Sequence, residues 1–331
     1  MIRRWNSTVG WLTNLYLASV VVVAGCSGGG GDGAQTEVTI GYQKTGSLNL
    51  LRLRGGLEPA LARLKARVKW VGFSAGPQLL EALNAGSIDF GHTGDAPPIL
   101  AQAAGVPFVY VGCEPARPRA EAILVPADSA LKSVAELKGK RIALNKGSNV
   151  HNLLVRALER AGVRYDEVRP VFLPPSDARA AFEGGSVDAW AAWDPYYAEA
   201  EAHANARVLS DGDGLVANRE FLIATRAFAR DHPEVIAAIL DGLGGQADWT
   251  RSHLDEVARL FGNEIGLDIG TMRRVIDRKA FGLAPMDREV VAEQQRVADL
   301  FAELGLIPAK LSVREAVLAP TTTNSSQGAG G

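Results

Sequence analysis

From residue 37 to about 225, short runs rich in β-branched and aromatic residues alternate with stretches whose apolar positions recur every three to four residues. That alternation predicts an α/β fold, with crossover helices joining the strands of largely parallel sheets. The runs predict strands at Val38–Tyr42, Val68–Phe73, Ile88–Gly91, Phe108–Gly112, Ala122–Pro126, Arg141–Leu144, Arg169–Leu173, Asp188–Ala191 and Phe221–Thr225. Beyond Asp231 the period is helical, in four or five segments ending near Leu304.

The pattern also repeats. Gly86-Ser87-Ile88-Asp89 returns as Gly185-Ser186-Val187-Asp188, and an offset of 99 residues aligns Phe73 with Phe172 through Asp95 with Asp194 without a gap. A helical stretch precedes each copy, at 78–85 and 177–184, and Lys44-Thr45-Gly46-Ser47 is echoed by Lys146-Gly147-Ser148. Such duplication predicts two lobes built on one plan. Two facing α/β lobes enclose a cleft, and ligands of such sheets bind beyond the carboxyl ends of the strands, where loops enter helices.

The loops at that edge are 43–47, 74–77, 93–95, 146–149, 175–177 and 193–195, each before a predicted helix. Helix N-termini offer unpaired N–H groups and partial positive charge, so several converging would hold an anion. Glycine allows close backbone approach, and Ser47, Thr93 and Ser148 add hydroxyl donors. No loop carries arginine, the residue expected for bidentate phosphate or carboxylate binding, so neutral donors facing a weakly basic oxyanion such as sulfonate are expected. Lys44 and Lys146 are expected in solvent. Trp193 is expected against an organic tail, and Trp190 in the core. Asp95, Asp177 and Asp194 read either as N-caps or as carboxylates facing the cleft, where they would favour an amino-sulfonate such as taurine. His151 reads as a packed side chain, His92 as a possible pocket wall, and Cys113 as a small buried residue ending a strand.

Composition narrows the class. Of 331 residues, 47% are hydrophobic and 22% charged, as in globular proteins, and the length suits two domains. A net charge of −2 gives no overall positive field for nucleic acid. Two cysteines and five scattered histidines build neither a disulfide framework nor a zinc site, so no metal is expected. No Walker A, HExxH or dinucleotide motif is present, so neither cofactor nor catalysis is expected. At the N-terminus, Arg3 and Arg4 precede a mostly apolar stretch from Val9 to Ala24, the pattern of an export signal. Val23-Ala24-Gly25-Cys26 resembles a bacterial lipobox, making Cys26 the expected lipid anchor, and the glycine-rich 27–33 a tether. The stretch 319–331 is expected to be structureless.

The chain resembles the aliphatic-sulfonate-binding proteins of ABC importers, within the nitrate/sulfonate/taurine-binding group. The resemblance rests on residues 40–44, 75–83, 93–98 with 101–105, 146–148, 177–182 and 193–196, and spans about 37 to 318. It implies a type II periplasmic-binding-protein-like fold with the ligand cleft between lobes and a helical C-terminal segment. Lobe I would comprise 37–121 and 217–318, and lobe II 122–216. The implied protein is an exported monomeric receptor in the periplasm or on the outer face of the cytoplasmic membrane, serving a permease and its ATPase. Implied ligand contacts are Gln43, Ser47, Gly76, Thr93, Gly94, Asp95, Ser148, Asn149, Asp177, Trp193 and Asp194. Two positions depart from the family pattern: His92, where a smaller or apolar residue is common, and Asn149-Val150, in place of a more serine-rich run. The alternatives are a taurine or nitrate receptor, or an enzyme of pyrimidine or menaquinone pathways on the same fold.

Overall fold

The computed structural model describes residues 35–318; the export signal, Cys26, the tether and the stretch from 319 lie outside them. The described residues form ten strands: β1 (Thr36–Gln43), β2 (Ala66–Phe73), β3 (Phe90–Thr93), β4 (Phe108–Cys113), β5 (Glu121–Pro126), β6 (Arg141–Leu144), β7 (Arg169–Phe172), β8 (Ala189–Trp193), β9 (Ala206–Asp211) and β10 (Phe221–Thr225). The helices are α1 (Ser47–Arg54), α2 (Glu58–Arg63), α3 (Gly76–Asn84), α4 (Ala96–Ala103), α5 (Asn149–Arg160), α6 (Pro175–Glu183), α7 (Tyr196–His203), α8 (Arg226–Asp231), α9 (Pro233–Thr250), α10 (Leu254–Ile265), α11 (Ile269–Arg278) and α12 (Arg288–Glu303). Among the described residues no helix is long and apolar enough to cross a membrane.

The strands form two five-stranded sheets, ordered β2-β1-β3-β10-β4 and β7-β6-β8-β5-β9. In each, three parallel strands come from the repeat and one antiparallel strand, β10 or β5, is contributed after a crossing. The repeated tetrapeptide has the same work in both sheets. Gly86 and Gly185 take the left-handed conformation, each at φ 68°, after α3 and α6. The next residue then donates back into the helix, Ser87 N to Ala82 O at 2.9 Å and Ser186 N to Ala181 O at 2.8 Å. The aspartate ties the following strand to its neighbour, Asp89 Oδ2 accepting from Thr39 N at 2.8 Å and Asp188 Oδ2 from Arg141 N at 2.7 Å.

Strand β9 has no counterpart in the sequence reading. It is an edge strand, Ala-Arg-Val-Leu-Ser-Asp, half-buried along its whole length, so no apolar run marks it. Its place in the second sheet is that of β4 in the first.

Apolar clusters cover both faces of each sheet: Leu79, Ile99, Tyr110, Phe221 and Phe301 on one side of the first, Val38, Ile40, Phe90 and Ile239 on the other. In the second sheet Leu144, Leu153 and Leu154 pack on one side and Trp190 on the other. Cys113 ends β4 as expected, buried with Sγ 3.8 Å from the Pro285 carbonyl, and burial pushes its thiol up to about 11. His151 is packed too: its Nε2 lies 2.7 Å from the Tyr165 hydroxyl, and its ring lies among Tyr165, Phe172 and Phe301.

The chain passes between the sheets in residues 114–120 and 212–220. These segments run side by side, with Glu114 N donating to Glu220 O at 2.8 Å and Arg117 N to Ala217 O at 2.9 Å. Away from this joint the halves also meet where Ala198 of α7 is buried among Leu50, Val257, Phe261 and Met272.

Candidate functional site

Between the halves lies a small, partly open cavity of about 30 Å³, lined by the β1–α1 loop (Gln43, Lys44, Thr45, Gly46), Ser74, His92, the crossing residues Arg117 and Glu220, Trp193, Asp194, Pro195, Tyr196 and Lys279. Every edge loop that reaches it precedes a helix, as the strand-to-helix pattern requires. Gln43 ends β1 and donates from Nε2 to the His92 carbonyl at 3.1 Å, fixing the first wall. Trp193 ends β8 and meets Tyr196 edge-on, with centroids 5.6 Å apart, forming an aromatic wall. Lys44 lies 5.5 Å from the Tyr196 ring centroid, a contact between the two halves.

Lys44 is exposed, as expected, and at the same time forms part of the pocket wall. One feature corrects the sequence reading. The absence of arginine from the loops does not leave the site without one, because the crossing segment supplies Arg117. Its guanidinium, 10% exposed, is paired through Nη2 with Glu220 Oε1. Burial pulls its pKa down, against the opposing pull of Glu114, Glu121, Asp194 and Asp95. Lys279, just after α11, is held down to about 7 by burial and then by Arg117. Neither residue belongs to a strand-to-helix loop, where the sequence pattern places ligand contacts. The signal was available in the topology: segments that cross between lobes line the cleft.

His92 is fully buried and neutral, its pKa lowered to about 3 by burial, then by Lys279 and Arg117. Its Nε2 stands 3.3 Å from Glu220 Oε2. Gly46 is required beneath it: a Cβ there would fall 2.0 Å from His92 Cε1 and 2.1 Å from Nε2. Gly46 has an ordinary φ of −75°, so the constraint is contact and not backbone strain. Gly46→Ala should therefore lower unfolding stability by about 1 to 3 kcal/mol, the usual range for overpacking, measured by urea denaturation.

Of the expected contacts, Gln43, Trp193 and Asp194 line this cavity. Asp194 is buried, accepts from Ala198 N at 3.1 Å on Oδ1, and is pushed up to about 7 by burial despite Arg278. Its Oδ2 and Glu220 Oε2 are buried with no hydrogen-bond partner. Gly76 and Thr93 pack together; a Cβ on Gly76 would meet Thr93 Oγ1 at 2.0 Å. Gly94, Asp95 and Asn149 sit where the halves touch. A Cβ on Gly94 would fall 2.9 Å from Asn149 Cβ, and Asp95 Oδ2 accepts from Asn152 Nδ2 at 2.8 Å. Asn149 donates to the Glu121 carboxyl and, at 3.3 Å, to Asn218 Oδ1. Ser148 caps the backbone locally, donating to Asn145 O at 2.8 Å. Ser47 faces a separate small cavity beside Gln246 and Phe281. Asp177 is exposed on α6 and does not reach the cavity.

The arrangement offers an anion three cationic side chains, Lys44, Arg117 and Lys279, a neutral imidazole and the N-terminus of α1, opposite two aromatic rings. A volume of about 30 Å³ holds roughly two waters. Among the described residues no group of His, Cys, Asp or Glu could hold a metal.

A model of the NMT1/THI5-like family matches residues 73–256. A protein of Escherichia coli (strain K12), named as an aliphatic sulfonates-binding protein, is 44% identical over 289 residues, covering 87% of this chain and 90% of its own. The alkanesulfonate-binding protein of Xanthomonas axonopodis pv. citri, solved bound to MOPS, superposes with a TM-score of 0.82 at 40% identity, covering 86% of this chain and 98% of the other. The periplasmic aliphatic sulphonate binding protein of Escherichia coli superposes with a TM-score of 0.77 at 43% identity, covering 85% and 97%.

Proposed function

The chain belongs to the aliphatic-sulfonate-binding proteins of the NMT1/THI5-like family, and from that premise we propose that it is the extracytoplasmic receptor of an ABC importer for organic sulfonates. The carrying observation is the interlobe cavity, with Arg117 and Lys279 available to the headgroup and Trp193 and Tyr196 to the carbon chain. The lobes, 37–121 with 217–318 and 122–216, close as two bodies on the crossing segments. A micromolar dissociation constant needs about −8.2 kcal/mol. A few charge-assisted hydrogen bonds at roughly 1.5 to 3 kcal/mol each and a buried chain reach it after ordering costs. The receptor works as a monomer, breaks no bond in its ligand and passes it to permease subunits driven by their ATPase. Titration calorimetry of the protein against alkanesulfonates, taurine, nitrate and sulfate tests this. Binding confined to nitrate or sulfate, or a ligand recovered chemically changed, would overturn it.

A second reading, an amino-sulfonate receptor, is favoured by one observation: the unpartnered oxygens of Asp194 and Glu220 beside the cavity suit an ammonium group.

Export ends in lipid attachment at Cys26, with 27–33 as the tether. Cys26→Ser should move the protein from the membrane fraction to the soluble exported fraction; retention in the membrane would refute the anchor.

A further inference from the structure

The repeat-related pair Asp95 and Asp194 are both buried, at 5% and 8% exposure, and each is gripped from the opposite half of the molecule. Asp95, at the start of α4 in the first half, takes its side-chain hydrogen bond from Asn152 of α5 in the second, at 2.8 Å. Asp194, before α7 in the second half, faces Arg278 at the end of α11 in the first, Nη1 to Oδ1 at 3.3 Å. The same guanidinium donates to Glu201 and lies 3.7 Å from the Tyr197 ring centroid, so all three of its partners are in the second half.

Contacts between halves joined by two crossing segments are the ones lost when the cleft opens. Another such contact is weak: His203 and Asp268, 3.4 Å apart, are each about half exposed, where an ion pair contributes little. Asn152 is 2% exposed and the Arg278 side chain 17%. We propose that Asn152 and Arg278 are positioning residues that latch the closed cleft by holding the two repeat-related aspartates, and so govern how slowly a bound ligand leaves. Encounter takes place with the open form, in which neither contact exists, so arrival is unaffected. This rests on the receptor reading.

The test is stopped-flow binding of MOPS to the full chain, followed by tryptophan fluorescence. Asn152→Ala and Arg278→Ala should each raise the dissociation rate roughly tenfold or more, the scale of one buried charge-assisted hydrogen bond, with association changed less than twofold. Arg278→Lys should fall between, keeping charge but losing the fork, and it serves if the alanine variant fails to fold. His203→Ala should leave both rates unchanged. Unaltered dissociation in the Asn152 and Arg278 variants, or affinity lost through slower association, would overturn the latch. If the wild-type protein binds neither MOPS nor any alkanesulfonate, the receptor reading fails instead. The latch is then read from amide exchange in ligand-free protein: Ala198 N–H, bonded to Asp194, should exchange faster in Arg278→Lys than in wild type. Equal exchange would reject it.

Discussion

Arg117→Ala is expected to abolish measurable sulfonate binding and to lower the stability of the ligand-free protein by about 3 to 5 kcal/mol, the cost of leaving one partner of a buried ion pair alone. The guanidinium lies among Glu220, Glu114, Glu121, Asp194 and Asp95, all of them buried, and pairs directly with Glu220. Without it that pocket holds surplus negative charge, which repels a sulfonate as well as opposing folding. The two effects separate in Arg117→Ala combined with Glu220→Gln. Removing the orphaned carboxylate should restore most of the lost stability, while binding stays absent because the guanidinium that holds the headgroup is gone and Lys279, near neutrality, does not replace it. Urea unfolding and calorimetry on both variants decide it. Affinity within threefold of wild type in Arg117→Ala would remove this residue from the site.

Affinity for an alkanesulfonate should rise roughly tenfold as pH falls from 8 to 6, because binding to the closed form takes up protons. Asp194 is the first source. Burial raises it to about 7 and Asp95 to about 6, both above the usual carboxyl value. An exposed carboxyl has already lost its proton there. A carboxyl raised in this way favours the closed form most below about pH 4 and loses that contribution as pH rises through 7. Lys279 is the second source. Burial lowers it to about 7, and an arriving anion stabilises its charged form, so above neutrality it gains a proton on binding. Calorimetry at pH 6, 7 and 8, in buffers without a sulfonate group, measures the slope, and Lys279→Met with Asp194→Asn should flatten it. An affinity constant across that range would sink the argument. An amino-sulfonate gives the opposite trend, since its ammonium needs Asp194 ionised, so the same titration separates the two ligand classes.

The helical C-terminal third, the alternation before it and the duplicated tetrapeptide were legible because each is carried by neighbours in sequence. The glycine of that tetrapeptide stops a helix and its aspartate pins a strand, in both copies, within a few residues. Strand β9 was not legible, since an edge strand with both faces half-buried has no alternation to read. Extending the 99-residue offset from β4 would have located it, because Phe108 falls on Arg207.

By itself the sequence determined the local elements, the doubling of the plan and the loops that meet at strand ends, since those depend on side-chain period and backbone preference over short spans. It also marked Gln43, Trp193 and Asp194, which stand at such ends. Which charges share the cleft was decided only by the tertiary structure. Arg117 lies in a crossing segment, Lys279 follows a helix far along the chain, and Glu220 arrives with the return crossing. Burial among residues so distant in sequence moves Lys279 and Asp194 toward neutrality, and the desolvation that does so exists only once the halves have met.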